Sequence, residues 1–410
     1  MSEWKVKRLG DLINIKHGYA FKGEYFSEDG PGPLLFTPGN FAIGGGFKGS
    51  RAKYYLGPIP GGFGLKSGDL VVTMTDLSKA GDTLGYPAIV PSGPEYLHNQ
   101  RIGLVSIKST DEVDKLFLFY ALRTLGYRGH VLAGATGSTV RHTSPGRIYE
   151  YEFSVPDLKE QSAIAAVLGA LDDRIAINDR IVSVVHELGD SCFSRLSSVC
   201  RSTLGDLVAQ RALIFGDGYR TKRSEHGQPG LPILRVAEVI DGRIEPDFSD
   251  FVADRYRSAM GGKISQAGDV ILTTKGTVGR VAAITTNDPS FVYSPQLCYF
   301  RVLPGSPMAS SYIYFWLRGN DFWRQAETLK SQTDMADYLS LTDIRQLTIP
   351  VPDMVSNGEM LQTLTSLLSQ ASARHKENKS LGELRDMLLP KLMSGEIRVR
   401  DAERVVGEVT

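Results

Sequence analysis

The chain has 410 residues, 42% of them hydrophobic, with 46 Lys and Arg against 46 Asp and Glu. That length predicts two or three folded domains. No stretch approaches the ~18 consecutive apolar residues of a membrane span, and "MSEWKVKRLG" lacks an apolar signal core, so no membrane association and a cytoplasmic location are expected.

Cys192, Cys200 and Cys298 have no metal-like spacing, an odd count argues against a disulfide framework, and the seven histidines are scattered. No metal site is expected. Zero net charge argues against nucleic-acid binding when averaged over the chain, but the charges are segregated. From Phe36 to Lys66 and again from Lys115 to Tyr149 there is no acid, while Lys48, Arg51, Lys53, Lys66, Arg123, Arg128, Arg141 and Arg147 fall inside those tracts.

In chain order, "GDLVVTMT", "RIGLVSIK" and "YEFSVP" cluster β-branched residues between turn formers and predict strands. Between them, "VDKLFLFYALRTL" predicts one helix, Val113 to Leu125. The Gly-rich "AIGGGFKGS" lacks the Gly-Lys-Ser/Thr ending of a phosphate loop and predicts a mobile loop. After "VPD" at 155–157 comes a long helix, Lys159 to about Ser197, with Ile164, Leu168, Leu171, Ile175, Val182, Val185 and Leu196 in steps of three and four and Asn178 in the seam.

The pattern then starts again. "LGDL" recurs at an offset of 195, the "SGDLVVTMT" strand returns as "AGDVILTTK" at 200, and Gln100 matches Gln296 at 196. "YALR" matches "FWLR" at 195, and "FSVPD" matches "IPVPD" at 196. Five matches in one order require a duplicated unit of domain size. The second copy predicts a helix over Ser311 to Leu329 and a second long helix from about Ser356 to Met393. The latter carries Leu361, Leu364, Leu368, Ala371, Leu381, Leu384, Leu388 and Leu392, with Asn378 answering Asn178. Two such stripes in one chain pack on each other most simply, and a pseudo-twofold repeat makes them antiparallel with the domains at opposite ends. A helix of about 35 residues spans about 50 Å, roughly fifteen base pairs of duplex.

The expected architecture is therefore α+β: domain 1 at 1–157, a spacer helix at 158–199, domain 2 at 200–353, a second spacer helix at 354–395, and a tail at 396–410. Each domain is expected to be a small twisted sheet with flanking helices, and the helix pair an antiparallel coiled coil.

Catalytic constellations are lacking. "NDPSF" is one residue from the Asp-Pro-Pro-aromatic motif of amino-methyltransferases, but Ser290 breaks it and no glycine-rich cofactor loop precedes it. "PDLK" at 156–159 puts its charges in four residues, whereas nuclease sites gather theirs from separate strands. Asp157 and Asp353 instead suit helix N-termini. No Ser-His-Asp or Cys-His set is defensible.

With "GSTVRHTSPGRI...FSVPDLKEQ", "SQTDMADYLSLTDIRQLTIPVPD", a long helix after each, and the closing "LLPKLMSGEIRV", the chain resembles the DNA-specificity subunit of Type I restriction-modification systems from Trp4 to about Val399. The second junction, "VPDMVSNGEM", departs from the first by lacking its Lys-Glu-Gln. The resemblance implies two target-recognition domains that each read half of a bipartite double-stranded DNA sequence. It also implies a helix pair that sets the unread spacer and binds two methyltransferase subunits, and a further ATP-driven translocase and nuclease subunit. No cofactor is implied in this chain; S-adenosylmethionine, ATP and Mg are expected in the partner subunits.

Base and phosphate contacts come from Arg, Lys, Asn, Gln, Ser and Thr in reachable loops. The candidates in domain 1 are Asn40, Lys48, Ser50, Arg51, Lys53, Tyr54, Lys79, Gln100, Arg101, Ser138, Thr139, Arg141 and His142. In domain 2 they are Arg211, Tyr219, Arg220, Lys222, Arg223, Lys275, Thr277, Gln296, Gln332 and Thr333. The candidate helix seam is Leu168, Leu171, Ile175, Asn178, Val182, Leu364, Leu368, Asn378, Leu384 and Leu388. The rival readings are a stand-alone methyltransferase or nuclease, which would need a cofactor site, and a structural coiled-coil adaptor without nucleic acid.

Overall fold

The computed structural model describes residues 4–49, 53–240, 242–329, 331–332 and 337–407, without the side chains of 331, 332 and 337. The chain forms two compact units, residues 1–175 with 380–410, and residues 176–379. The boundary falls inside both long helices, so each unit contains a stretch of each.

In the first unit, Ile13–His17 (β1), Leu70–Thr73 (β2), Pro87–Ile89 (β3) and Ile102–Ile107 (β4) form a sheet of order β1-β4-β2-β3. In the second, Leu213–Asp217 (β5), Val270–Thr273 (β6), Val281–Ala283 (β7) and Leu297–Val302 (β8) form one of order β5-β8-β6-β7. The order is the same. Ile102 pairs with Thr73 as Leu297 pairs with Thr273, which fixes the residue-by-residue equivalence of the copies.

The repeated Gly-Asp has a local cause. Gly68 and Gly268 sit at φ 84° and 90°, a left-handed turn conformation that glycine adopts without strain. Each following carboxylate closes the turn: Asp69 Oδ2 accepts the Lys66 N–H at 2.8 Å and Asp269 Oδ2 the Gln266 N–H at 2.9 Å. A second sheet in each unit adds a parallel strand pair, Leu34–Phe36 beside Tyr96–His98 and Gly230–Leu234 beside Val292–Tyr293.

Each expected single helix is two. Lys115–Ala121 and Leu125–Ala133 are separated where Thr124 caps the second, its Oγ1 accepting the Tyr127 N–H at 3.4 Å. Ser310–Arg318 and Asn320–Leu329 are separated at Gly319. Their aromatic stripes are core: Phe117, Tyr127, Tyr312, Phe315 and Trp316 are all at most 1% exposed, each worth about 1.5–3 kcal/mol or more on burial. The Gly-rich segment also departs from expectation. Gly44, Gly45 and Gly46 all have positive φ, and the turn is pinned: Gly46 N donates to Pro87 O at 2.8 Å and Arg123 Nε donates to Gly44 O at 2.8 Å.

The long helices run Leu158–Ser194 and Met354–Met393. Asp157 Oδ1 accepts the Glu160 N–H at 2.9 Å, and Asp353 Oδ1 the Val355 N–H at 3.1 Å, so both acids hold helix starts. The first helix stops short of residue 199 because Ser198–Thr203 is a strand, antiparallel to Thr348–Pro352.

Within the first unit, Leu168, Leu171 and Ile175 share a core with Leu381, Leu384 and Leu388. Within the second, Val182 and Val185 pack with Leu367 and Ala371, and Asn178 meets Asn378, so rising numbers on one helix meet falling numbers on the other. The pair is antiparallel. Leu367 holds the seam position beside Val182, while Leu364 and Leu368 join the core around Trp316. The tail adds a helix, Val399–Gly407, which buries Ala402 and Val406.

Candidate nucleic-acid interface

In each unit a four-residue turn leads into the central strand. Ile102 N donates to Asn99 O at 3.0 Å and Leu297 N donates to Ser294 O at 3.0 Å, so Arg101 and Gln296 both occupy the third turn position. Gln100, matched to Gln296 by sequence, is instead the counterpart of Pro295. Each turn is fastened to the end of the neighbouring strand, since Met74 N donates to Arg101 O and Thr274 N donates to Gln296 O, both at 2.9 Å.

The incoming loop is held the same way. Tyr19 N donates to His98 O and Tyr219 N donates to Tyr293 O, both at 2.8 Å. The preceding glycines make this approach feasible: a Cβ on Gly18 would lie 2.1 Å from Asn99 O, and one on Gly218 would lie 2.1 Å from Ser294 O. Tyr19, 38% exposed, is thus the counterpart of Tyr219 and was absent from the candidates. The repeated Gly-Tyr at 18–19 and 218–219 was the available signal.

A third loop completes each cluster. Arg141–His142 pairs with Thr75–Asp76, and Thr143 N donates to Met74 O at 3.0 Å; Tyr338 bridges to Lys275, and Leu339 N donates to Thr274 O at 3.0 Å. In the first unit this gathers Lys79, Gln100, Arg101, Ser138, Thr139, Arg141 and His142, all exposed except the half-buried Arg141. His142 Nδ1 lies 3.1 Å from Thr75 Oγ1, and Arg141 Nε donates to Lys79 O at 3.1 Å. Asp76 is turned inward. Burial alone pushes the Asp76 carboxyl up, but hydrogen bonds from Ser78 and Thr83 outweigh it and hold the group below its ordinary value.

In the second unit, exposed Lys275, Thr277 and Gln296 line an open cleft of about 800 Å³ together with Arg235 and Arg280. The parallel strand pair explains the cleft: chains leaving Leu234 and Tyr293 exit at the same end of the sheet. Arg235 and Arg280 were not among the candidates. Arg280 Nη1 donates to Val239 O at 3.1 Å, and Arg235 pairs with Asp250.

The remaining candidates stand apart from these clusters or serve the fold. Asn40 is 2% exposed; its Oδ1 accepts the Thr37 N–H at 2.9 Å, as Glu238 Oε2 accepts the Arg235 N–H at 2.7 Å. Both cap a short 3-10 turn, and Asn40 is therefore not at the surface. Arg211 lies before β5 and Tyr219 after it, so a strand of roughly 17 Å separates Arg211 from the cluster. Arg220 and Lys222 are exposed beyond Tyr219, as is Arg223, although Arg220 Nη2 lies 3.7 Å from Asp217. Lys48 and Lys53 are exposed, and Tyr54 is half-buried on a strand of the first unit's second sheet. Ser50, Arg51 and Thr333 lie outside the described residues, as does the side chain of Gln332.

No group of three or more His, Cys, Asp or Glu that could hold a metal occurs among the described residues, and none of their helices is long and apolar enough to cross a membrane. Residues 1–187 match the family described as the Type I restriction modification DNA specificity domain. Those residues resemble a Type I restriction-modification DNA specificity domain. Along its length it is similar to Type I specificity subunits. The EcoBI specificity subunit of Escherichia coli is 22% identical over 99% of this chain and 89% of the relative. The MjaVIII specificity subunit of Methanocaldococcus jannaschii is 28% identical over 43% of this chain and 41% of the relative. The crystal structure of the Type I restriction-modification S subunit from M. genitalium has the same fold, with a TM-score of 0.58 and 19% identity over 96% of each chain.

Proposed function

We propose that this specificity-domain protein reads a bipartite duplex DNA target, one half with each copy of the repeat, and performs no bond-making itself. The observation that supports this most is the equivalence of the two loop clusters: the same three loops converge at the same strand ends in each unit, carrying different polar and cationic side chains. Equal scaffolds with unequal side chains suit two different half-sites. Phosphate contacts would come from the lysines and arginines around each turn, and base contacts from forked side chains at its tip.

In this reading, the long helices set the unread gap and dock two methyltransferase subunits, which bring S-adenosylmethionine. A translocase and nuclease subunit brings ATP and Mg. The length of the helices, 37 and 40 residues, supports the spacer role, since such a helix extends about 55–60 Å. Profiling adenine methylation across a genome expressing this chain with its methyltransferase partner tests the whole reading. A motif of two short sequences separated by an unread gap is expected. A single uninterrupted motif, or none, would overturn it.

A further inference from the structure

Arg101 and Gln296 are the same position in the two copies, and the residues differ. Each is third in its turn, each carbonyl accepts a backbone N–H from the neighbouring strand end at 2.9 Å, and each side chain is exposed. The turns are stiffened further in distinct ways. Asn99 Oδ1 accepts the Arg101 N–H at 3.1 Å, and Thr274 Oγ1 donates to Gln296 O at 3.0 Å. The backbone is thus fixed at the point where the side chain departs, which is what reading a base edge demands. Neither side chain forms a hydrogen bond or ion pair among the described residues, although cations stand nearby: Lys275, Arg235 and Arg280 line the same cleft as Gln296.

We propose that position 101/296 is a specificity-determining position of the repeat, Arg101 reading a guanine in one half of the target and Gln296 an adenine in the other. The chemistry follows from the side chains. The guanidinium fork presents two donors to the O6 and N7 acceptors of guanine in the major groove, and the Gln amide presents an acceptor and a donor to N6 and N7 of adenine. A surface charge with no reading role would not need a turn tied from both sides. This inference rests on the reading of the chain as a DNA-specificity protein.

The test is bind-and-sequence selection of the full-length chain on a random duplex library, comparing wild type with R101Q, R101K and Q296R. Wild type is expected to select two half-sites. R101Q should lower the preference for one guanine on the order of 10- to 100-fold and leave the other half and the gap unchanged. Q296R should convert one adenine to guanine in the other half only. R101K keeps the charge but loses the fork, so it should retain affinity while relaxing that one position. Variants that select the wild-type motif, with or without a uniform loss of affinity, would overturn the inference and leave the DNA reading standing. A wild-type chain that enriches no sequence would overturn the DNA reading and the inference with it. Melting curves matching wild type confirm that the variants are folded.

Discussion

Asn178 Nδ2 donates to Asn378 Oδ1 at 2.9 Å, and Asn378 Nδ2 donates in turn to Asp179 Oδ1 at 2.8 Å. Asn178 is fully buried. A buried polar pair beside the apolar residues of a helix seam fixes register, because any slide strands one amide against hydrocarbon. Asn378→Leu should therefore cost about 1–3 kcal/mol, since it leaves the Asn178 amide buried without its partner. The double change to Leu should recover most of that loss and broaden the pairing. Urea unfolding of the three variants checks this; equal midpoints for the single and double variants would show that the pair is not coupled.

Asp172 is the charge centre of the first unit. Its Oδ2 accepts from Arg123 Nη1 at 2.6 Å and Tyr120 Oη at 2.9 Å, and its Oδ1 accepts from Arg385 Nη1 at 2.7 Å. Burial is the largest single influence and raises the carboxyl pKa, but Arg123 and Arg385 together outweigh it and hold the group below the ordinary value. A depressed folded pKa means that this stabilisation is full above about pH 4, the unfolded value, and is lost as pH falls through the lower folded value. Asp172→Ala should cost about 3 kcal/mol at neutral pH by stranding the buried Arg123. In Asp172→Asn, the acid-side fall in stability below pH 4 should be shallower than in wild type, as read from melting temperatures at pH 5 and pH 3.

The parts legible in the sequence are those whose physics is periodic or local. The heptad stripes, the Asn178 and Asn378 seam positions and the Asp157 and Asp353 helix starts each follow from spacing a chain must keep to bury one face or cap one turn. The site was less legible because it is assembled from loops brought together by strand pairing. Offset matching aligned Gln100 with Gln296, but a one-residue difference in register makes Arg101 the true counterpart. Asn40 had the right chemistry for a DNA contact, yet its amide caps a turn. Arg235 and Arg280 carried no motif: the parallel exit of two strands places Arg235 beside Gln296, and the β6–β7 hairpin, where Thr273 N donates to Arg280 O at 3.0 Å, brings Arg280 there.

Gly18 and Gly218 offer a test confined to backbone approach. Alanine at either position puts a Cβ 2.1 Å from a carbonyl oxygen of the facing turn, and the turn must move. Gly18→Ala should destabilise the protein by about 1–3 kcal/mol and degrade selection in one half-site, while Gly218→Ala should do the same to the other. Wild-type melting together with a wild-type motif for Gly18→Ala would mean that the close approach has no bearing on reading.

Lys275 separates attraction from reading. It is exposed in the cleft beside Gln296, and no ion pair engages it among the described residues. A lysine opposite a phosphate contributes through released counterions, equally for every sequence, whereas a base reader contributes at one position. Lys275→Gln should weaken binding to specific and scrambled duplexes by the same factor. It should also flatten the slope of log affinity against log salt by about 0.9 and leave the selected motif unchanged. Titrations between 50 and 200 mM salt resolve this change because the affinity of a multi-contact interface falls steeply across that range. A slope equal to wild type with one relaxed base would move Lys275 from the backbone to a base edge, and its neighbour Gln296 would then share that reading role.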